Sequence, residues 1–114
     1  MGETGRGPRL RVEVLGPLRV VVDGASVEVP GPKRRAVLAL LALAEGRTVS
    51  VDRLVGALWP ADMPDSGRQA LHTHVSRLRT HLGPAAGRLQ TRHDGYRLDL
   101  DRLGQFLTTV TNRL

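Results

Sequence analysis

Residues 70–83 read ALHTHVSRLRTHLG, and the two sides of this stretch decide what the rest of the chain must be. Leu71, Val75, Leu78 and Leu82 recur at i, i+4, i+7 and i+11, so they form one apolar stripe along an α-helix. The opposite side carries Gln69, Thr73, Ser76 and Thr80, with Arg77 at its edge. No acid occurs between Ser66 and Leu82. A helix that only faces water usually mixes both signs of charge and gains from i,i+4 pairs. Here hydrogen-bonding side chains are flanked by Arg68, Arg77, Arg79 and three histidines, with no carboxylate among them. That is a surface suited to a polyanion, although a solvated face that happens to lack acids would read the same.

Outward from this helix the chain punctuates itself clearly. Upstream, Leu10, Val12 and Val14 alternate with charged residues, Gly16-Pro17 breaks the run, and Leu18 to Val22 reads as a second strand. Asp23-Gly24 is a hairpin signal, and Val27 to Val29 is expected as a short third strand ended by Pro30-Gly31. Pro32 suits the first position of a helix that Gly46 would cap, with a middle apolar almost all round and therefore central. "RTVS" offers a very short strand, and Ser50 is a good N-cap for a second helix bearing Val51, Leu54, Val55 and Leu58 on one face. Trp59-Pro60 ends it. Asp65 or Ser66 caps the third helix, which runs to Gly83-Pro84. After a loop, "RLQTRHDGYRLDL" reads as a hairpin around Asp94-Gly95.

The order is β-β-β-α-(β)-α-α-β-β, an α+β domain over residues 9–100. Three helices after an antiparallel sheet, closed by a hairpin, make the layout of a winged helix-turn-helix: the third helix reads a groove and the hairpin is the wing. Residues 1–8 are expected to be disordered. Residues 101–114 read as the start of a further helical segment.

Composition narrows the function classes. At 114 residues the chain is one domain. Without cysteine it has neither disulfides nor a thiolate metal site, which fits a reducing, cytoplasmic setting. The longest apolar run, Ala36 to Ala44, is far short of the about 20 residues that span a bilayer, and the N-terminus has no signal-peptide core. No membrane contact is expected. The net charge is +6 and the pI about 11.4. Every basic residue but Lys33 is arginine, a skew that a GC-rich genome produces and that also suits phosphate and guanine. The charge balance itself points to nucleic acid or an anionic surface.

Three segments supply candidate contacts with duplex DNA. On the third helix Gln69 can be bidentate to adenine, Thr73 can meet a thymine methyl, and Arg77 can be bidentate to guanine. At the start of the first helix stand Lys33, Arg34 and Arg35, where the helix dipole disfavours cations by about 0.3–1 kcal/mol each. A bound phosphate reverses that balance. Near the tip of the hairpin Arg92 can enter a narrow minor groove, while Arg88 and Arg97 belong at its base. Tyr96 reads as a packing residue whose hydroxyl is satisfied locally.

Other chemistries fit poorly. His72 and His74 diverge by about 200° on a helix, and His74 and His81 lie about 10 Å apart along it, with no acid to complete a metal shell. There is no Gly-rich phosphate loop, no nucleophile beside a base, and no paired carboxylates, so no enzyme, cofactor or small-molecule substrate is expected. Trp59, Tyr96 and Phe106 are the only aromatics, too few for a base-stacking platform. The competing class is a protein-interaction module with a basic surface and only non-specific affinity for DNA.

"LRVEVLGPLRVVVDGASVEVPGPKRRAVLALLALAEGRTVSVDRLVGALWP", followed by "ALHTHVSRLRTHLG" and "DGYRLDL", resembles the N-terminal DNA-binding domain of the Streptomyces antibiotic regulatory proteins, which have an OmpR/PhoB-type winged helix. The likeness covers about residues 9–100. It implies a transcriptional activator that binds promoter direct repeats as a side-by-side pair, contacts RNA polymerase holoenzyme on the nucleoid, and serves secondary-metabolite genes. Position by position it places Thr73 and Arg77 at bases, His74, Arg79 and Trp59 at phosphates, and Arg92 in the minor groove. Ser76 stands where related proteins are often basic. The loop "PADMPDSG" corresponds to a segment that can meet polymerase, and members of the family normally continue into a helical-repeat activation domain. The sequence contains no aspartate-bearing receiver domain, which separates it from two-component regulators, so phosphorylation within it is not expected.

Overall fold

The computed structural model describes residues 9–14, 16–61 and 65–100. It begins with a three-stranded antiparallel sheet in the order β1 (Leu10–Glu13), β2 (Arg19–Val22), β3 (Ala25–Val27). Alternation does what it should here: Leu10 pairs with Val22 and Val12 with Val20, so all four buried side chains face the helices. The turn between β2 and β3 is Asp23-Gly24, with φ of 50° and 84°. Two successive left-handed residues are the backbone of a type I′ turn, the hairpin geometry that Asp-Gly favours. The Asp23 carboxylate accepts the Arg9 N–H at 2.8 Å, and the Asp23 N–H donates to the Arg9 carbonyl at 2.9 Å. This two-residue turn sets Ala25 opposite Val22, so the third strand ends at Val27 rather than running from Val27 to Val29. Val29 still enters the core, beyond the strand.

Helix α1 (Pro32–Leu43) starts on Gly31 at φ 96° and buries Val37, Leu38, Leu41 and Ala42. It stops before the expected Gly46, because Glu45 and Gly46 both turn left-handed. Strand β4 (Val49–Ser50) leads straight into α2 (Val51–Leu58), where the Ser50 hydroxyl accepts the Arg53 N–H at 3.1 Å. Helix α3 (Gly67–Leu82) follows, and its stripe Leu71, Val75, Leu78 and Leu82 is at most 1% exposed. Ser66 holds the N-cap position of α3, yet its side chain makes no capping bond. Residues Gly83–Arg88 form a 3-10 helix where the sequence suggests an open loop, and it buries Ala85 and Arg88.

The closing hairpin is β5 (Leu89–Arg92) and β6 (Gly95–Leu98), and β4 adds to it in the order β4-β6-β5. Its turn differs from the expected one. Arg92 pairs with Gly95, so the loop is His93-Asp94, and neither residue has positive φ. Gly95 therefore serves a different purpose from Gly24. A Cβ on it would stand 2.1 Å from the Val49 carbonyl oxygen, so glycine here admits β4 beside the hairpin. The Val51 N–H then donates to the Asp94 carbonyl at 2.9 Å. Both sheets and all three helices share one apolar core, the α+β winged-helix arrangement that the element order predicts.

Candidate nucleic-acid interface

The buried stripe of α3 fixes which residues face outward. Gln69, Thr73, Ser76, Arg77 and Thr80 are all exposed. Gln69, Thr73 and Arg77 lie at i, i+4 and i+8, one continuous row, with Ser76 and Thr80 beside it. The Thr73 hydroxyl donates to the Gln69 carbonyl at 3.2 Å, and that of Thr80 to Ser76 at 3.3 Å. These bonds hold the two threonine rotamers against the helix. At 16 residues, α3 is about 24 Å long, enough to lie along a major groove.

Of the three arginines on α3, two have protein partners. Arg68 pairs with Asp52 at the start of α2. Arg79 donates from Nε and Nη2 to the Leu89 carbonyl at 2.9 and 2.7 Å, and from Nη2 to the Thr91 hydroxyl at 2.9 Å. Arg77 has no ion-pair partner among the described residues. The acid-free sequence around it does not reveal this division, because the partners of Arg68 and Arg79 lie 16 and 10–12 residues away.

The candidates at the start of α1 converge with two others. The Lys33 ammonium stands 5.5 Å from the centre of the Trp59 ring, a cation–π contact joining the N-terminus of α1 to the C-terminus of α2. His74, half-buried, has its pKa pushed below the usual histidine value by burial first, then by the charges of Arg34 and Lys33. The buried Nδ1 of His74 and the buried Nε of Arg34 have no hydrogen-bond partner among the described residues. Four of the residues proposed for phosphates therefore share one corner: Lys33, Arg34, Trp59 and His74. Arg35, also proposed, is exposed in the first turn of α1. Arg79 stands apart from this corner, bound to the wing.

On the wing, Arg92 is exposed and immediately precedes the turn. Arg88 and Arg97 are at the hairpin's base, as expected. Arg88, 6% exposed, donates to the Asp99 carbonyl at 3.2 Å, and Arg97 donates to the Gly46 carbonyl at 2.6 Å and to Gln90 at 2.7 Å. Tyr96 is buried and its hydroxyl lies 2.6 Å from Nδ1 of His72, with the rings edge to face. His72 thus belongs to the join between α3 and the wing, a role its sequence neighbourhood does not signal. Part of the loop proposed to meet polymerase, residues 62–64, lies outside the described residues, as do residues 1–8 and 101–114.

No group of three or more His, Asp or Glu side chains that could hold a metal occurs among the described residues, and no described helix is long and apolar enough to cross a membrane.

Residues 26–98 match the family "Transcriptional regulatory protein, C terminal". The chain is 40% identical over 111 residues to the transcriptional regulatory protein EmbR of Mycobacterium tuberculosis, covering 90% of this chain and 29% of EmbR. It is 42% identical over 87 residues to the regulatory protein AfsR of Streptomyces coelicolor, covering 76% of this chain and 9% of AfsR. Among solved structures, that of Mycobacterium tuberculosis EmbR in complex with a low-affinity phosphopeptide superposes with a TM-score of 0.74 at 41% identity, over 82% of this chain and 26% of that one. The chain thus spans less than a third of the length of these relatives. With three helices and a hairpin wing in this order, and the family match over residues 26–98, the chain belongs to the OmpR/PhoB-type winged-helix family of transcriptional regulators, as a DNA-binding domain of the Streptomyces antibiotic regulatory protein kind.

Proposed function

We propose that the domain binds promoter direct repeats in duplex DNA as a side-by-side pair and activates transcription by helping to recruit RNA polymerase holoenzyme to secondary-metabolite genes. The observation that carries the sequence-specific part is the outer row of α3. Gln69, Thr73 and Arg77 are exposed in one line, and among the described residues Arg77 alone of the helix's arginines has no carboxylate or carbonyl partner. Arg77 reads guanine through its fork, Gln69 adenine, and the Thr73 methyl a thymine methyl, since its hydroxyl is turned to the helix.

Around this row the other contacts fall on phosphates and the minor groove. Lys33, Arg34, Trp59 and His74 form a corner rich in donors, and two of its buried nitrogens, Arg34 Nε and His74 Nδ1, have no partner among the described residues. A phosphate at this corner offsets the unfavourable cations in the first turn of α1. Arg35 adds a solvent-facing charge, and Arg92 leads the wing into the minor groove. Localisation on the nucleoid follows from such binding.

Selection from a random duplex pool at about 150 mM salt tests the reading. The expected product is a pair of direct repeats about one helical turn apart. Uniform weak binding with no enriched motif would favour instead a basic surface for an acidic protein.

A further inference from the structure

We infer that Arg79 is a positioning residue, a clamp that holds the wing at a fixed offset from the recognition helix so that Arg92 meets the minor groove in register. The inference rests on the DNA-binding reading above and departs from the phosphate role that sequence likeness gives this position. Arg79 spends Nε and Nη2 on the Leu89 carbonyl, and Nη2 again on the Thr91 hydroxyl. Both acceptors lie on β5, and Thr91 is the residue before Arg92. Seven residues earlier on the same helix, His72 meets the hydroxyl of Tyr96, and Tyr96 is the cross-strand partner of Thr91. Two turns of α3 therefore grip one rung of the hairpin from both strands.

The chemistry of the grip requires arginine. A planar fork reaches a carbonyl and a hydroxyl together, whereas the single ammonium of lysine keeps the charge but cannot reproduce the paired geometry. β4 pairs with Tyr96 and Gly95 of β6, up to the last rung before the turn, and leaves β5, which carries Arg92, as the edge strand that the Arg79 ties hold. A hairpin that swings by an ångström or two still folds but presents Arg92 at the wrong height.

The test is a double-mutant cycle on the domain's selected duplex, with Arg79→Ala, Arg79→Lys, Arg92→Ala and the two pairings with Arg92→Ala. As a clamp, Arg79→Ala and Arg79→Lys each weaken binding roughly tenfold, similar to Arg92→Ala, and each pairing with Arg92→Ala is little worse than the singles. Hydroxyl-radical protection at the minor-groove site fades in both Arg79 variants, while guanine protection under α3 persists. A direct phosphate contact predicts the opposite: Arg79→Lys binds nearly as well as wild type, losses with Arg92→Ala multiply to about a hundredfold, and the salt slope of Arg79→Ala falls by about one ion. That pattern would overturn the clamp. Thermal unfolding accompanies each variant. Should Arg79→Ala fail to fold, Thr91→Val removes one acceptor without changing charge: fading minor-groove protection then supports the clamp, and unchanged protection counts against it. A wild-type domain that selects no duplex overturns the DNA reading itself, and is distinguishable because it fails before any variant is compared.

Discussion

Three arginines on one helix have three different fates, and their neighbours decide which. Arg68 is neutralised by Asp52, Arg79 is bound to the wing, and Arg77 faces outward with no acid partner among the described residues. Replacing Arg77 with alanine is expected to cost about 1–3 kcal/mol on the preferred site and to relax preference at one base pair, which competition among single-base variants of the site would measure. Equal losses on preferred and random duplexes would remove its base-reading role. At Gly95 the constraint is spatial, since the Val49 carbonyl occupies the room a side chain needs. Gly95→Ala should destabilise the domain by about 1–3 kcal/mol or more in urea unfolding, because β4 must move off the hairpin. Gly24→Ala, by contrast, meets no neighbouring atom and suffers only from its positive φ.

Among elements, the corner where α1, α2 and α3 meet carries a pH dependence. Burial and the charges of Arg34 and Lys33 lower the His74 pKa from its ordinary 6.5, so the free domain favours the neutral imidazole. A lowered pKa means that the unfolded chain binds more protons in the window below 6.5, so stability is highest above that value and falls as pH drops through the window to the folded pKa. Thermal unfolding from pH 7.5 to 5 should show this decline, and His74→Gln should flatten it. A phosphate in the corner favours the protonated ring instead, so specific affinity should rise as pH falls from 7.5 to 6. Strict pH independence would place His74 away from the backbone. The elements themselves were legible because their periodicities are clean: the stripe of α3, the Ser50 cap and the Asp23-Gly24 turn each state their geometry locally. What escaped was non-local. Asp94-Gly95 carries the same dipeptide as the first hairpin, yet its glycine answers to a strand 46 residues away, and no local pattern reports that. The ties of Arg79 and of His72 to the wing were hidden for the same reason. The outward row of α3 was readable, because the choice between inward and outward follows from helical spacing alone.

Across the whole molecule, charge is distributed by function more than by sequence position. Three acids tie arginines down: Glu13 beside Arg11 and Arg19, Asp52 beside Arg68, Asp99 beside Arg88 and Arg97. The outer row of α3, the first turn of α1 and the wing strand up to Arg92 contain none. With a net charge of +6 and no acid on these three segments, affinity for any duplex should fall steeply with salt. Arg35→Ala should weaken preferred and random duplexes alike and lower the slope of log affinity against log salt by about one, readable by titration between 50 and 200 mM. The short strand β4 also has a consequence in time. Val49 pairs with Tyr96, so the sheet that walls the recognition helix can close only after nearly the whole domain has left the ribosome. Until then the apolar stripe of α3 lacks part of its cover, and loop closure over that span must be paid before any of its contacts is gained. A growing chain is therefore expected to pass through a stage in which α3 has been made but the wing that Arg79 and His72 tie to it has not yet closed.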